Sequence, residues 1–347
     1  MSTGNPVRTP LGTMMTRRHV LKATIALGGL AATAGFNPAR GQARKTLRLA
    51  YVAPAGTADD AACKKFADLV AQKTNDALEV RTFPNAQLGP ENQAFQQVQL
   101  GSIDFGYSDA STIAQAGVPE WQVLSFPYLY RDMEHLKAAL HSPVTRDMSE
   151  KLLAKVGLRV LGPWGRTPRY IATVSKPIRK PADLKGLKLR VPQNPLWFDM
   201  ATALGTNPTP INWGELYTAL SQKTVEGFEI HAGWIVGSRL YEVTKFLNFT
   251  HHQYGGYILY VNDRIFQGLP AEQRRAIEEA AREAGEFQHK AIIDEDRQAI
   301  VTCRDKGMAW VEDVDRAALR ELTKPMIAKY EAQWGAGLIE RIAALKA

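Results

Sequence analysis

A two-domain α/β protein is what this sequence predicts, and three observations predict it. Strand-like and helix-like segments alternate in two separate series, one long helical pattern follows them, and 347 residues exceed a single comfortable hydrophobic core. The first series opens with Leu47-Arg48-Leu49-Ala50-Tyr51-Val52, whose alternation marks a strand, and a loop with Pro54 and Gly56 closes it. Over 59–73 the apolar residues Ala62, Phe66, Leu69 and Val70 fall on one helical face. Residues 78–83 alternate again and stop at Pro84-Asn85, 91–100 read as a second helix, and 102–107 as a third strand. Strands separated by helices of this length predict parallel sheets with crossover helices.

The second series follows Gly157-Leu158-Arg159-Val160-Leu161. Its members are a strand over 187–191, helices over 196–204 and 214–221, and a strand over 225–229. Both series are βαβ-like, yet they share no sequence self-similarity. The last pattern, 271–305, is introduced by Leu269-Pro270 and is rich in Glu, Arg and Ala. At 1.5 Å per residue it would run about 50 Å, longer than one small domain, so it predicts a spine along both.

Composition bounds the function. A hydrophobic content of 45% with 22% charged residues is that of a globular chain, not of a disordered tail or a membrane bundle. The formal net charge is +8, but residues 1–43 contribute Arg8, Arg17, Arg18, Lys22 and Arg40 without a single acid. Beyond them 38 bases stand against 35 acids, a net of +3. No dense basic run interleaved with aromatics remains, which argues against a nucleic-acid partner.

Residues 1–43 read as an export signal: Thr16-Arg17-Arg18-His19-Val20-Leu21-Lys22, an apolar stretch from Ala23 to Phe36, then Gly41-Gln42-Ala43. This is similar to a twin-arginine signal, with cleavage expected near Ala43 and the mature protein in the periplasm. The stretch of about 14 apolar residues falls short of the roughly 20 that span a bilayer. Cys63 and Cys303 form no Cys-x-x-Cys unit and are expected as free thiols.

The chain lacks Gly-x-Gly-x-x-Gly after a strand, a Walker loop, His-Glu-x-x-His and Gly-x-Ser-x-Gly. Neither a cofactor nor a metal is therefore expected. Adjacent His251 and His252 would point to opposite faces of a strand and make a poor metal pair. The informative stretch is Pro181 to Pro192, in which Gly186 breaks a short helix and the strand that follows carries Arg190 near its carboxyl end. Ligands of open α/β sheets bind beyond the carboxyl ends of strands, and a planar guanidinium suits a carboxylate bidentately.

At this point a family pattern is met. The chain resembles the DctP-type solute-binding proteins of tripartite ATP-independent periplasmic (TRAP) transporters over nearly all of its length after residue 43. The resemblance rests, in order, on Phe83-Pro84-Asn85-Ala86-Gln87-Leu88-Gly89, Leu100-Gly101-Ser102-Ile103-Asp104, Phe126-Pro127-Tyr128-Leu129-Tyr130-Arg131-Asp132, Asp183 to Pro192, Asn207-Pro208-Thr209-Pro210 to Leu220, and Tyr241-Glu242-Val243. It implies a two-domain periplasmic-binding-protein clamshell with a long helix spanning both domains. Domain I would comprise 44–168 and 254–295, and domain II 169–253 and 296–347. It further implies a monomer that closes on an organic acid and delivers it to a two-component membrane permease. A ligand-presenting subunit for a sensor kinase and a periplasmic enzyme acting on organic acids are the rivals.

The resemblance makes Arg190 the partner of the ligand carboxylate and Arg169 an assisting arginine. It places Asp109 as a polar contact and Trp213 as a packing surface; Glu91, just after Leu88-Gly89-Pro90, reads as either a helix N-terminal acid or a ligand contact. One departure matters: where many members read Gly-Gln-Glu-Asn, this chain has Gly227-Phe228-Glu229-Ile230-His231, so Ile230 replaces a ligand-binding asparagine. His231 or Glu229 is expected to compensate. With Trp213, Phe228, His231 and Trp234 nearby, a larger or aromatic carboxylate is expected in place of sialic acid or a simple C4-dicarboxylate.

Overall fold

The structure, a computed structural model, describes residues 44–346. The export signal expected over 1–43 lies outside the described residues. Eleven strands are described: β1 (Lys45–Tyr51), β2 (Leu78–Phe83), β3 (Phe105–Asp109), β4 (Leu158–Arg166), β5 (Tyr170–Thr173), β6 (Lys188–Val191), β7 (Asn207–Pro210), β8 (Gly227–Ile230), β9 (Phe246–Asn248), β10 (Gly255–Asn262) and β11 (Ala309–Val311). They form two sheets, β2-β1-β3-β10-β4 and β11-β9-β5-β8-β6-β7. Each sheet, with its helices, makes a lobe.

The parallel βαβ pairing expected from sequence holds for β1 with β2 and β3, and for β6 with β7 and β8. The sheets are nevertheless mixed. β10 runs antiparallel to β3 and β4, and β5 antiparallel to β8 and β9. The reason is that the chain passes from strand to strand between the sheets at β4 to β5 and at β9 to β10, each strand entering its new sheet from the opposite end, before helix Ala271–Asp305 leads it back to β11 of the second sheet.

Local chemistry fixes the elements around the cleft. Thr57 caps helix Ala58–Lys73 by accepting from the Asp60 N–H, with Asp59 and Asp60 favourably placed in the first turn. Helix Glu91–Leu100 ends at Gly101 in the left-handed region, φ 77°, and the Ser102 and Ile103 N–H groups fold back onto the Gln97 carbonyl. That closing turn delays the strand expected at 102–107 to Phe105–Asp109 and sets Asp109 at its end. In the second lobe Asn194 caps helix Pro195–Ala203, with Pro195 in the first position.

The long helix is observed as Ala271–Asp305, 35 residues. Its first half packs Ile277, Ala280 and Ala284 into the core, and Lys73 pairs with Glu279 and Glu283. Further along, Asp296 accepts from the Tyr170 hydroxyl of β5 at 2.8 Å, and Cys303 is buried. The helix thus reaches both sheets. Cys63 and Cys303 are buried free thiols. The C-terminal helices Pro325–Trp334 and Leu338–Ala343 straddle the lobes: Trp334 Nε1 donates to Gln122 at 3.2 Å, while the Tyr330 hydroxyl donates to Asp199 at 2.7 Å.

Candidate ligand cavity between the lobes

The carboxyl ends of β1, β3, β6, β7 and β8 converge on a cavity of about 270 Å³. Residues of both lobes touch across it. Asn92 Nδ2 donates to the Gln193 carbonyl at 3.0 Å, and Asn194 Nδ2 and Trp197 Nε1 donate to the Ser111 hydroxyl at 3.2 and 3.0 Å. The clamshell is therefore closed.

One wall is cationic and aromatic. Arg190, the third residue of β6, is buried, only 4% exposed. Its Nε donates to the Ile211 carbonyl at 2.8 Å and its guanidinium lies 5.5 Å from the Trp213 ring. No carboxylate among the described residues pairs with it. Burial pulls its pKa down to about 10, with Arg169 adding to the effect and Glu229 opposing it.

Arg169 also lines the cavity, but its charge is already neutralised. Its Nε bonds Glu229 Oε2, and its Nη2 donates to Glu229 Oε1 at 2.8 Å and to the Glu229 carbonyl at 3.0 Å. His252 Nε2 stands 3.6 Å from the same carboxylate. Although burial acts to raise it, Arg169 and His252 outweigh that and hold Glu229 below its ordinary range.

The opposite wall is acidic. Glu91, at the start of its helix, accepts the Asp109 N–H at 2.7 Å, and desolvation together with the neighbouring Asp109 carboxylate pushes its pKa up to about 7. Asp109 Oδ1 accepts from Ser111 and Ser125 hydroxyls and from the Ser111 N–H at 2.8 Å. Burial still raises Asp109 despite those donors. Tyr257 of β10 and the Asn85-Ala86 turn complete this side. Asn85 and Ala86 both adopt φ 56°, a left-handed conformation that costs non-glycine residues energy and holds the turn against the cavity.

Six residues named from sequence thus come together here: Arg190, Arg169, Asp109, Glu91, Trp213 and Trp234. Three do not. Phe228 is fully buried in the sheet core, two residues short of Ile230, the β8 residue that lines the cavity. Glu229 points away from it and serves Arg169. His231 sits beneath the cavity against Arg166, 2.6 Å from its Nη2, and its ring packs edge-on to Trp234. Burial drives its pKa well below the ordinary value, so it stays neutral there. Ile230 itself lines the cavity, and neither Glu229 nor His231 is beside it on the lining.

Sequence reasoning passed over Trp197, Asn194, Asn92 and Tyr257. The Asn194-Pro195 pair is a helix N-terminal signal directly downstream of Arg190, and would have brought Asn194 and Trp197 to the cavity.

A family model described as DctP, bacterial extracellular solute-binding protein, family 7, matches residues 49–333. The chain is 32% identical over 279 residues to the 2,3-diketo-L-gulonate-binding periplasmic protein YiaO of Escherichia coli (strain K12), covering 80% of this chain and 84% of that one. It superimposes with a TM-score of 0.84 and 30% identity on a TRAP periplasmic solute-binding protein from Polaromonas sp. JS666 bound to D-erythronate, covering 87% and 99% of the two chains. A second such protein, from Roseobacter denitrificans OCh 114 with bound L-galactonate, gives a TM-score of 0.81 at 27% identity, covering 86% and 98%.

Proposed function

The chain belongs to family 7 of the bacterial extracellular solute-binding proteins, the DctP family, and from that premise we propose that it captures a small hydroxylated monocarboxylate and hands it to a TRAP membrane permease. One observation carries the proposal: among the described residues Arg190 is a buried guanidinium without a carboxylate partner, and it lines the cavity between the lobes. A buried unpaired charge is costly, and an incoming carboxylate supplies the missing partner with two parallel hydrogen bonds. Because the ligand touches both lobes, it favours the closed state by its differential affinity.

The count of free charges sets the class of acid. Arg169 is neutralised by Glu229, which leaves one unpaired cation for one carboxylate. Glu91 and Asp109 on the other wall repel a second carboxylate but accept hydrogen bonds from hydroxyls. The cavity, about 270 Å³, lies just below the roughly 300–1,000 Å³ of drug-sized sites. The sugar acids bound by the relatives are of this class.

A second reading, an aromatic carboxylate, is favoured by Trp197, Trp213 and Trp234 on the lining. Loss of Phe228 and His231 from the cavity removes half of its original support. A thermal-shift panel of aldonates, uronates, C4-dicarboxylates and benzoates separates the readings. The largest shift is expected from a hydroxylated monocarboxylate; stabilisation by benzoates alone selects the second reading, and stabilisation by dicarboxylates alone sinks both. Export to the periplasm through a twin-arginine signal belongs to the same proposal, and processing near Ala43 is checked by mass of the secreted protein.

A further inference from the structure

Ser111 is fully buried and does not line the ligand cavity, yet the two lobes meet on its hydroxyl. It stands in the short helix Ala110–Ile113, which follows β3 in the first lobe. From the second lobe Asn194 Nδ2 and Trp197 Nε1 both donate to its Oγ, and neither nitrogen has another acceptor among the described residues. Each donor is aimed by its own lobe. Asn194 Oδ1 accepts the Leu196 N–H at 3.0 Å, which turns Nδ2 toward Ser111, and the Trp197 ring lies 4.4 Å from the Arg169 guanidinium.

A hydroxyl offers one proton and two lone pairs. The Ser111 proton goes to Asp109 Oδ1 within the first lobe, so both lone pairs are left for the second-lobe donors. Asn194 and Trp197 are themselves buried, so on closure this oxygen is the acceptor that each donor has left. When the lobes part, water serves both donors equally well. By contrast, the bond from Asn92 to the Gln193 carbonyl is exposed, and water competes for it in either state.

On the reading that this chain closes on an acid, we propose that Ser111 is its closure latch, a positioning residue that touches no ligand and holds Asp109 of one wall to Trp197 of the other. A bond made only between closed lobes stabilises the closed state alone. It therefore adds to ligand affinity and leaves the stability of each lobe as it is. Because Asp109 lines the cavity and Trp197 packs on Arg169, the latch also fixes the two walls against each other. Removing the hydroxyl strands two buried donors, and it does so only when the lobes are shut.

The test compares wild type with Ser111→Ala, Trp197→Phe and the double variant. Spin labels at Leu100→Cys and Gln222→Cys, exposed residues at the far ends of helices that start beside the cavity in opposite lobes, report closure through the distance between them. Cys63 and Cys303 are buried and stay unlabelled. D-Erythronate, L-galactonate and D-glucuronate are titrated into each protein. Ser111→Ala is expected to need about 10- to 100-fold more acid for half-closure, with the unfolding midpoint of the ligand-free protein unchanged. The double variant should bind no more weakly than Ser111→Ala alone, since Trp197→Phe then removes an orphaned donor. Undiminished affinity in Ser111→Ala, additive losses in the double variant, or a fall in the ligand-free midpoint overturns the latch. If none of the three acids closes the wild type, the reading as sugar-acid capture fails and the ligand-free distance distribution decides. A closed fraction that shrinks in Ser111→Ala then sustains the latch, and one that does not change overturns it.

Discussion

Arg166 ends β4 and Arg190 is the penultimate residue of β6 in the other lobe; they are buried almost equally, 1% and 4% exposed, yet among the described residues only Arg166 of the two has a carboxylate partner. Its Nη2 bonds Asp59 Oδ2, and its guanidinium lies 4.2 Å from the Trp234 ring and 3.9 Å from that of Tyr257. Asp59 in turn accepts from the Tyr107 hydroxyl at 2.6 Å and from Trp234 Nε1 at 3.0 Å. Burial acts to lower the pKa of Arg166, but Asp59 together with Tyr257 and Tyr107 outweighs it and the net shift is upward; for Arg190 burial prevails. The difference separates two uses of one side chain. Arg166 joins Asp59 of the first lobe to His231 and Trp234 of the second, whereas Arg190 keeps its charge for something that arrives.

If that division is right, breaking Arg166 and breaking Arg190 must fail differently. The largest effect is expected from Asp59→Asn, which strands Arg166 as a buried unpaired cation. Loss of about 3–5 kcal/mol in urea unfolding is predicted, and a loss under about 1 kcal/mol would reduce Arg166 to an Arg190-like site. Next comes Arg190→Lys, which keeps the charge but loses the fork. Calorimetry should show affinity for the acid selected by thermal shift falling roughly 100-fold, about 2.7 kcal/mol, with the unfolding midpoint unchanged.

Glu229→Gln sharpens the contrast from the other side, since it releases Arg169 as a second free cation. Affinity for a C4-dicarboxylate is predicted to rise about tenfold relative to the monocarboxylate, measured by competition. The smallest effect belongs to pH. Glu91 has a pKa raised to about 7 and is faced by Asp109, Arg166 and Arg169. Below that pH it is neutral and tolerates the ligand anion; above it the ionised carboxylate repels the anion. Affinity should therefore fall by about threefold to tenfold between pH 6 and 8, and Glu91→Gln should flatten the profile.

What was legible in the sequence follows the same physical divide. Strand Leu78–Phe83 and helices Glu91–Leu100 and Ala271–Asp305 stand where alternation and helical spacing put them, because each has one face in the core and one in water. β10 left no such trace: all eight of its residues are buried, so no period of two appears, although it is the strand that returns the chain to the first sheet. β7 was not expected either: it carries Pro208 and Pro210, which a strand tolerates only at a sheet edge, where β7 lies.

The site divides likewise. Arg190 and Asp109 could be placed because one sits next to the carboxyl end of its strand and the other at it. Phe228, Glu229 and His231 could not, since their roles depend on how far β8 extends and on which partner meets each side chain. Glu229 looked available until Arg169, 60 residues away in sequence, was seen to bond it.

The central claim is that Arg190 is completed by the ligand and not by the protein. Unfolding of wild type and Arg190→Met, each with and without the selected acid at saturation, tests it most directly. The variant without ligand is expected to be as stable as wild type or more so by roughly 1 kcal/mol, and the acid to stabilise only the wild type. A variant destabilised by more than about 2 kcal/mol in the absence of ligand, or stabilised by the acid as much as wild type, would contradict it.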